Sequence, residues 1–568
     1  MMPAMLDRRT LIAALASLVA GCTECCRISR LGPVIPDKPP VSDAHVHLFN
    51  AADLPVEGFL RYVVLPDHLK GFEILWPAII HLAGLLKTNA ISAEEEIRHL
   101  PLPWGIGSGK NGSISAEQFA DIAADEIERQ TAMLAPGPLM LNGAETDLAA
   151  SHVALARLLE EAQRVQAGKP ASNAPLTAGQ TIKLNRRFIA RLARDGAAAM
   201  PTLPSTALFV EGATGPASIL DRLWSGIAWM YELLQPRCSH AESYLATIND
   251  QTRQTRRIVN LLVDYDSWLD DRPLSGSSIE AQLRFWTAYA RAAMDRLKVD
   301  TFAPFDPLRD VEDQLTHGDA ATYFGRLEAW AAGGVQSNIR ISGFKLYPPM
   351  GFKAAGNSGP PAEDRAGALT RKRWDAQQPV WPVEEFGDRI EQSLDRFFDL
   401  CVQHQLPVLA HAYDSNQAST GSGKLACPAY WLDRVRKTKG PLRIALGHFS
   451  IERYSRDVYL RILQHNAISE SKIYLDIAFC EAILEGGAPH LLTQIADLCA
   501  AADQNCQWFL FGSDWIMLGK EPHVGDYLSN LLQAAEKSSL WSGAAGQVRL
   551  ENLMHNNLET FLSRPLGR

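Results

Sequence analysis

The sequence predicts an α/β protein: a (β/α)8 TIM barrel carrying a large helical insertion after its first strand. Three observations predict it. From about residue 255 onward, short apolar runs alternate with helical periodicity, and the runs begin 30 to 66 residues apart, whereas a strand with its crossover helix needs roughly 30. One earlier run, at 41–48, raises the number of strands to eight. Between that run and the others, residues 51–255 read as helices joined by Gly/Pro/Ser-rich loops, without a visible repeat. The rival at this level is an open doubly wound sheet, but nothing in the chain resembles its GxGxxG turn.

Composition agrees with a globular chain and excludes several classes. The 568 residues hold 46% hydrophobic and 21% charged side chains, with a formal net charge of −9. That mix is not disordered, collagen-like or a disulfide miniprotein. An acidic chain without a basic stripe is not expected to bind nucleic acid.

In chain order, residues 1–22 read as an export signal. Arg8 and Arg9 precede the apolar run Leu11–Ala20, about half of what a helix needs to cross a bilayer. The Asp-Arg-Arg-Thr-Leu-Ile stretch resembles a twin-arginine signal, and the residues ending at Cys22 resemble a bacterial lipobox. That resemblance implies lipidation of Cys22, a membrane partner reached through this lipid anchor, and a place in the bacterial cell envelope, on the periplasmic or outer-membrane side. Residues 23–40, with Pro33, Pro36, Pro39 and Pro40, read as a stiff tether. The barrel is expected over 41–50 and 256–568, and the 51–255 insertion is expected to cap its mouth, a partner-docking module being the alternative. Later strands are expected at Ile258–Val263, Thr301–Phe305, Ile341–Leu346, Pro407–Ala410, Arg443–Leu446, Ile473–Ile477 and Trp508–Phe511, with helices such as Phe285–Leu297 and Glu384–Gln405 between them. Cys401 and Cys499 fall in helical apolar patterns and are expected to be packing residues.

Active sites of such barrels lie at the C-terminal ends of the strands, so polar residues there carry the information. The first strand ends in His45-Val46-His47, the fourth in Lys345, the fifth in His411, the sixth in His448 and the eighth in Ser513-Asp514. Alternation puts His45 and His47 on one face. Imidazole and carboxylate are the ligands of a catalytic Zn2+ or similar ion, which lowers the pKa of bound water to about 7. Asp514 is the candidate proton shuttle, and His448 the candidate electrophilic helper at the scissile carbonyl. Asp306 and Asp476 end two more strands and either point inward, close a turn or pair with a helix. Tyr347, Tyr413 and Trp515 sit beside the ligand positions and can wall a substrate pocket.

The stretches Asp43-Ala-His-Val-His47, Gly343-Phe-Lys-Leu-Tyr-Pro348, Leu409-Ala-His411, Gly447-His448, Phe511-Gly-Ser-Asp-Trp515 and Asn552–Leu558 together resemble the amidohydrolase superfamily, in particular its amidohydrolase-2, decarboxylase-like branch. The resemblance spans about 41–50 and 255–565; Ile516 stands where that branch usually has proline. It implies that His45, His47, His411 and Asp514 bind a divalent metal, Zn2+ first and Mn2+ second. His448 and Lys345 would then serve a second metal or the substrate, Lys345 as a carbamylated bridge or as a cation on a substrate carboxylate, with a structural ion-pair partner as the remaining reading. The expected activity is metal-dependent hydrolysis of an amide, ester or lactone carbonyl in a small-molecule substrate. The alternatives are non-oxidative decarboxylation of an aromatic or unsaturated acid, and a non-catalytic surface lipoprotein that binds through its insert. Oligomeric state stays open.

Overall fold

The computed structural model describes residues 31–65, 90–99, 226, 229–265, 269, 276–333, 338–358, 383–416 and 421–563. The export signal with Cys22, most of the insertion and most of the 351–380 loop lie outside the described residues.

Eight parallel strands pair in sequence order: β1 (Pro40–Val46), β2 (Gln254–Leu261), β3 (Lys298–Phe305), β4 (Gly343–Leu346), β5 (Val408–His411), β6 (Arg443–Gly447), β7 (Lys472–Asp476) and β8 (Phe509–Leu510). Only two residues of β8 form regular ladder. The segment after it carries the sheet back to β1 through Ala44 N–H to Phe511 O at 2.9 Å, Asp514 N–H to His45 O at 2.7 Å and Ile516 N–H to His47 O at 3.0 Å. The result is the expected (β/α)8 barrel.

Local sequence explains the helices between strands. Ser278 caps Ile279–Ala293 by accepting from the Ala281 N–H, and that helix buries Leu283, Phe285, Trp286 and Tyr289. Asp306 caps Pro307–His317 by accepting from Leu308 N–H, with proline in the first turn. Of the readings for Asp306, pairing with a helix is the one observed. The longest described helix is Val383–His404, and no described helix is long and apolar enough to cross a membrane.

The barrel interior is filled by Ala44, Val259, Leu261, Phe302, Leu409, Ala445, Tyr474 and Leu510, and closed below by Leu558 and Phe561 of the last helix. Alternation along β2 puts Val259 and Leu261 inside, while Ile258 joins the larger core between strands and helices. Asn557 at the head of the last helix donates to both Cys506 O and Phe509 O at 2.7 Å, fixing the start of β8.

One expectation is corrected. Cys499 is not a packing thiol: it is disulfide-bonded to Cys506, with Cα atoms 5.2 Å apart. Its helix ends at Ala502, and the chain then turns back far enough to bring residue 506 within bridging distance. Cys238 is disulfide-bonded as well, whereas Cys401 is a buried free thiol, as expected.

Candidate metal centre

The register of β1 against β2 shifts between Asp43 and Val46, and His45 within that shift and His47 just after it turn their Nε2 atoms to one point. These atoms lie 3.3 Å apart. Asp514 Oδ1 is 3.6 Å from His45 Nε2 and 3.3 Å from His47 Nε2. Among the described residues these three are the group able to hold a metal ion. Glycines make room for it. A Cβ on Gly447 would stand 2.9 Å from His45 Cε1, and one on Gly512 would stand 3.0 Å from His45 Cβ.

The proton positions follow from the partners. His45 Nδ1 faces Asp476 Oδ2 at 2.9 Å and His47 Nδ1 faces Leu261 O at 2.7 Å. Both partners can only accept, so each imidazole keeps its proton on Nδ1 and turns a bare lone pair inward. Burial holds both rings well below the usual histidine pKa, helped by the nearby Lys345 charge, so they are neutral. Asp514 Oδ1 is buried without a hydrogen-bond donor. Burial raises the Asp514 carboxyl above its ordinary value, against the pull of Lys345. Three lone-pair donors thus converge, and without a metal ion they share a proton held on the raised Asp514 carboxyl and the ammonium of Lys345, 3.1 Å from His45 Nε2. Such a constellation is electrostatically unfavourable alone and favourable around a cation, so the donor set fits a divalent metal.

Lys345 ends β4 buried, with its Nζ 3.1 Å from His45 Nε2; burial lowers its pKa although Asp514 and Asp476 oppose this. His448 follows β6 at φ +66° and Asp514 follows β8 at φ +61°, left-handed conformations that cost non-glycine residues about 1 kcal/mol or more. His448 Nδ1 lies 3.1 Å from Ala478 O, which again fixes the proton on Nδ1 and leaves Nε2 bare. Burial brings its pKa down to about 4. His411 is not in the three-donor group: its ring stacks on Tyr347 at 4.5 Å, lies 4.5 Å from the His448 ring, and its Nε2 faces Ser415 Oγ at 3.2 Å. His411 and His448 therefore stand as a pair beside the centre.

A cavity of about 670 Å³ opens over these groups, lined by His448, Asp514, Tyr413, Phe479, Lys520 and Tyr62 among others. A second cavity of equal volume lies at the opposite end of the barrel around Arg257, Arg340 and His404. It contains none of the converging donors, so the site is the first. Tyr413 thus lines the cavity; Tyr347 is buried, its ring stacked on His411 and its hydroxyl accepting from Asn416 at 3.0 Å, and Trp515 is buried against the Tyr244 ring at 6.3 Å.

No family model matches the chain, and no curated protein matches it. Among solved structures it is similar to a candidate metal-dependent hydrolase from Lactobacillus casei, at 12% identity and a TM-score of 0.38 over 61% of this chain and 86% of that one. It is also similar to a candidate 2-pyrone-4,6-dicarboxylic acid hydrolase from Acinetobacter baumannii with citric acid bound, at 11% identity and a TM-score of 0.28 over 56% of this chain and 88% of that one. Both likenesses are distant.

Two carboxylates around the ligands went unassigned in the sequence or were left undecided there. Asp476 points inward: besides His45, it accepts from the backbone N–H groups of His448 and Ala478, each at 3.0 Å. Asp43 is wholly buried and accepts at Oδ1 from His45 N–H at 2.9 Å and Ser513 N–H at 3.1 Å. Its position two residues before His45 was the available signal. Burial raises its pKa to about 7, its hydrogen bonds notwithstanding.

Proposed function

We propose that this protein is a metal-dependent hydrolase acting on an amide, ester or lactone carbonyl. The observation that carries the reading is the convergence of His45 Nε2, His47 Nε2 and Asp514 Oδ1 on one buried point. These three would hold a divalent ion, Zn2+ or Mn2+ by donor type, with His411 as the additional ligand the sequence suggested. Such an ion polarises a carbonyl and lowers the pKa of water to about 7.

The chain's own groups do the rest. Asp476 and the Leu261 carbonyl hold the His45 and His47 rings in the tautomer that presents Nε2. Asp514, its carboxyl already raised by burial, is suited to take a proton from water and return it to a leaving group. His448 is neutral and bare at Nε2, so it acts as an acceptor first. It becomes a donor to an oxyanion only after taking a proton, which refines its expected role as electrophilic helper. Tyr413 and Phe479 wall the cavity in which the substrate would sit.

The test is a panel of small amides, esters and lactones assayed with zinc- or manganese-loaded protein and with Asp514→Asn. Turnover by the wild type and its loss in the folded variant support the reading; activity retained in Asp514→Asn removes the shuttle. One observation favours a second reading. Lys345 is a buried cation beside His45, placed to hold a carboxylate, so release of CO2 from aromatic acids belongs in the same panel.

For location, we propose export with a lipid anchor on Cys22. The Arg8-Arg9 pair, the short apolar run and the cysteine support it, and the Cys499–Cys506 bridge suits an oxidising compartment.

A further inference from the structure

The metal ligands come from the barrel, but two of the groups that grip them come from the insertion. Tyr244 lies in the helix Arg237–Ile248 and donates its hydroxyl proton to Asp43 Oδ2 at 2.9 Å. The other oxygen of Asp43 ties His45 N–H to Ser513 N–H. Thus Tyr244 completes a carboxylate that joins the strand bearing His45 to the turn bearing Asp514. Trp229, also from the insertion, donates its indole N–H to Ile516 O at 2.8 Å. The N–H of that same Ile516 bonds His47 O at 3.0 Å. Each inserted residue is therefore one hydrogen bond away from a backbone contact of a ligand histidine.

The rings reinforce these bonds. Trp515, directly after Asp514, meets the Tyr244 ring edge-on at 6.3 Å. Gly519 packs between Trp515 and Trp229: a Cβ there would lie 3.2 Å from one and 3.6 Å from the other. Trp229 is itself stacked on Phe59, which belongs to the start of the insertion. The clasp has work to do, because Asp514 stands at φ +61°, a conformation its surroundings must hold.

We propose that Tyr244 and Trp229 are positioning residues of the metal centre, so that the insertion is a structural part of the site as well as a cover for it. The proposal rests on the metal-centre reading above. Removing the Tyr244 hydroxyl leaves a buried carboxylate oxygen without its donor, and removing the Trp229 indole N–H frees the Ile516 carbonyl. In both cases the angle between His45, His47 and Asp514 loosens while the ligands themselves stay in place.

The experiment uses the full-length chain and its Tyr244→Phe and Trp229→Phe variants. Zinc affinity is measured by competition with a chelator, the visible spectrum of the cobalt-loaded protein is recorded, and the thermal midpoint of the metal-free form is taken alongside. The expected result is zinc binding weaker by roughly 10-fold in each variant, with altered cobalt bands. Unchanged affinity and spectrum overturn the proposal, even with a lowered midpoint, since packing alone accounts for that. If Tyr244→Phe does not fold, Trp229→Phe decides by the same two readouts. A wild type that binds neither ion removes the metal-centre reading and this proposal with it, and that outcome is visible before any variant is made.

Discussion

At Asp476 one side chain serves three partners: His45 Nδ1 and two backbone N–H groups. Asp476→Asn keeps the shape and removes the charge that holds the His45 proton in place. The expected outcome is metal affinity lower by about 10- to 100-fold with the fold intact, read by chelator competition and circular dichroism; unaltered affinity removes the orienting role. How far such residues were legible depends on what each needs to be recognised. His45, His47 and Asp514 announce themselves, because a polar residue at the end of an apolar strand is conspicuous. Asp43 needs Ser513, 470 positions away, and so its task shows only once the barrel closes. Tyr244 and Trp229 sit among helical apolar residues and carry no chemical mark at all. His411 was read with the ligands from the order of motifs, while its ring lies with Tyr347 and His448.

Among elements, the helix Val383–His404 is bound to its neighbours through Glu391. That carboxylate accepts from Lys437 Nζ at 2.8 Å, and from Arg434, Asn357 N–H and Asn357 Nδ2 at 2.9 Å each. Burial alone would raise its pKa, but these donors pull it down from 4.5 to about 2. The folded state therefore binds this proton more weakly than the unfolded chain. Its stabilisation is full above the unfolded value and is lost as pH falls toward the folded one. Glu391→Gln is expected to cost roughly 2 kcal/mol near pH 7, the gap to wild type closing between pH 4.5 and 2; urea unfolding across pH checks it, and a gap independent of pH contradicts it. The insertion has an anchor of its own. Arg237 is fully buried and bonds Asp53 and Glu96, with Nε to Asp53 at 2.8 Å and Nη1 to Glu96 at 2.7 Å. Arg237→Met strands two buried carboxylates and should destabilise by about 3–5 kcal/mol, measured by denaturant unfolding. A loss below about 1 kcal/mol would show the ion cluster to be dispensable. Strand positions were legible from apolar runs, whereas their ends were not. The expected Trp508–Phe511 shrinks to Phe509–Leu510, because the residues beyond pair with β1 across the closure. Cys499 was misread because a helical period cannot show where the chain turns back.

For the molecule as a whole, the tether and the site occupy opposite ends of the barrel. Arg256 donates to the carbonyls of Ile35, Pro36 and Lys38, and Gln254, the first residue of β2, bonds Ile35 N–H and Pro33 O. The last part of the tether therefore lies against the N-terminal face, with the donors at the far one. Cys22→Ser is expected to move the protein from the membrane to the soluble fraction of fractionated cells; a variant that stays membrane-bound ends the lipoprotein proposal. The eightfold architecture was legible because apolar strand-like runs recur far enough apart for a crossover helix between each pair. The insertion's role was not, since it depends on contacts made across the closed barrel.

The convergence of His45 Nε2, His47 Nε2 and Asp514 Oδ1 should hold a metal ion. Elemental analysis of protein purified without chelator, beside a His47→Ala variant of equal foldedness, tests it most directly. At least one divalent ion per chain is expected in the wild type, with a large loss in the variant. No ion in the wild type, even after reconstitution with zinc or manganese, would contradict it.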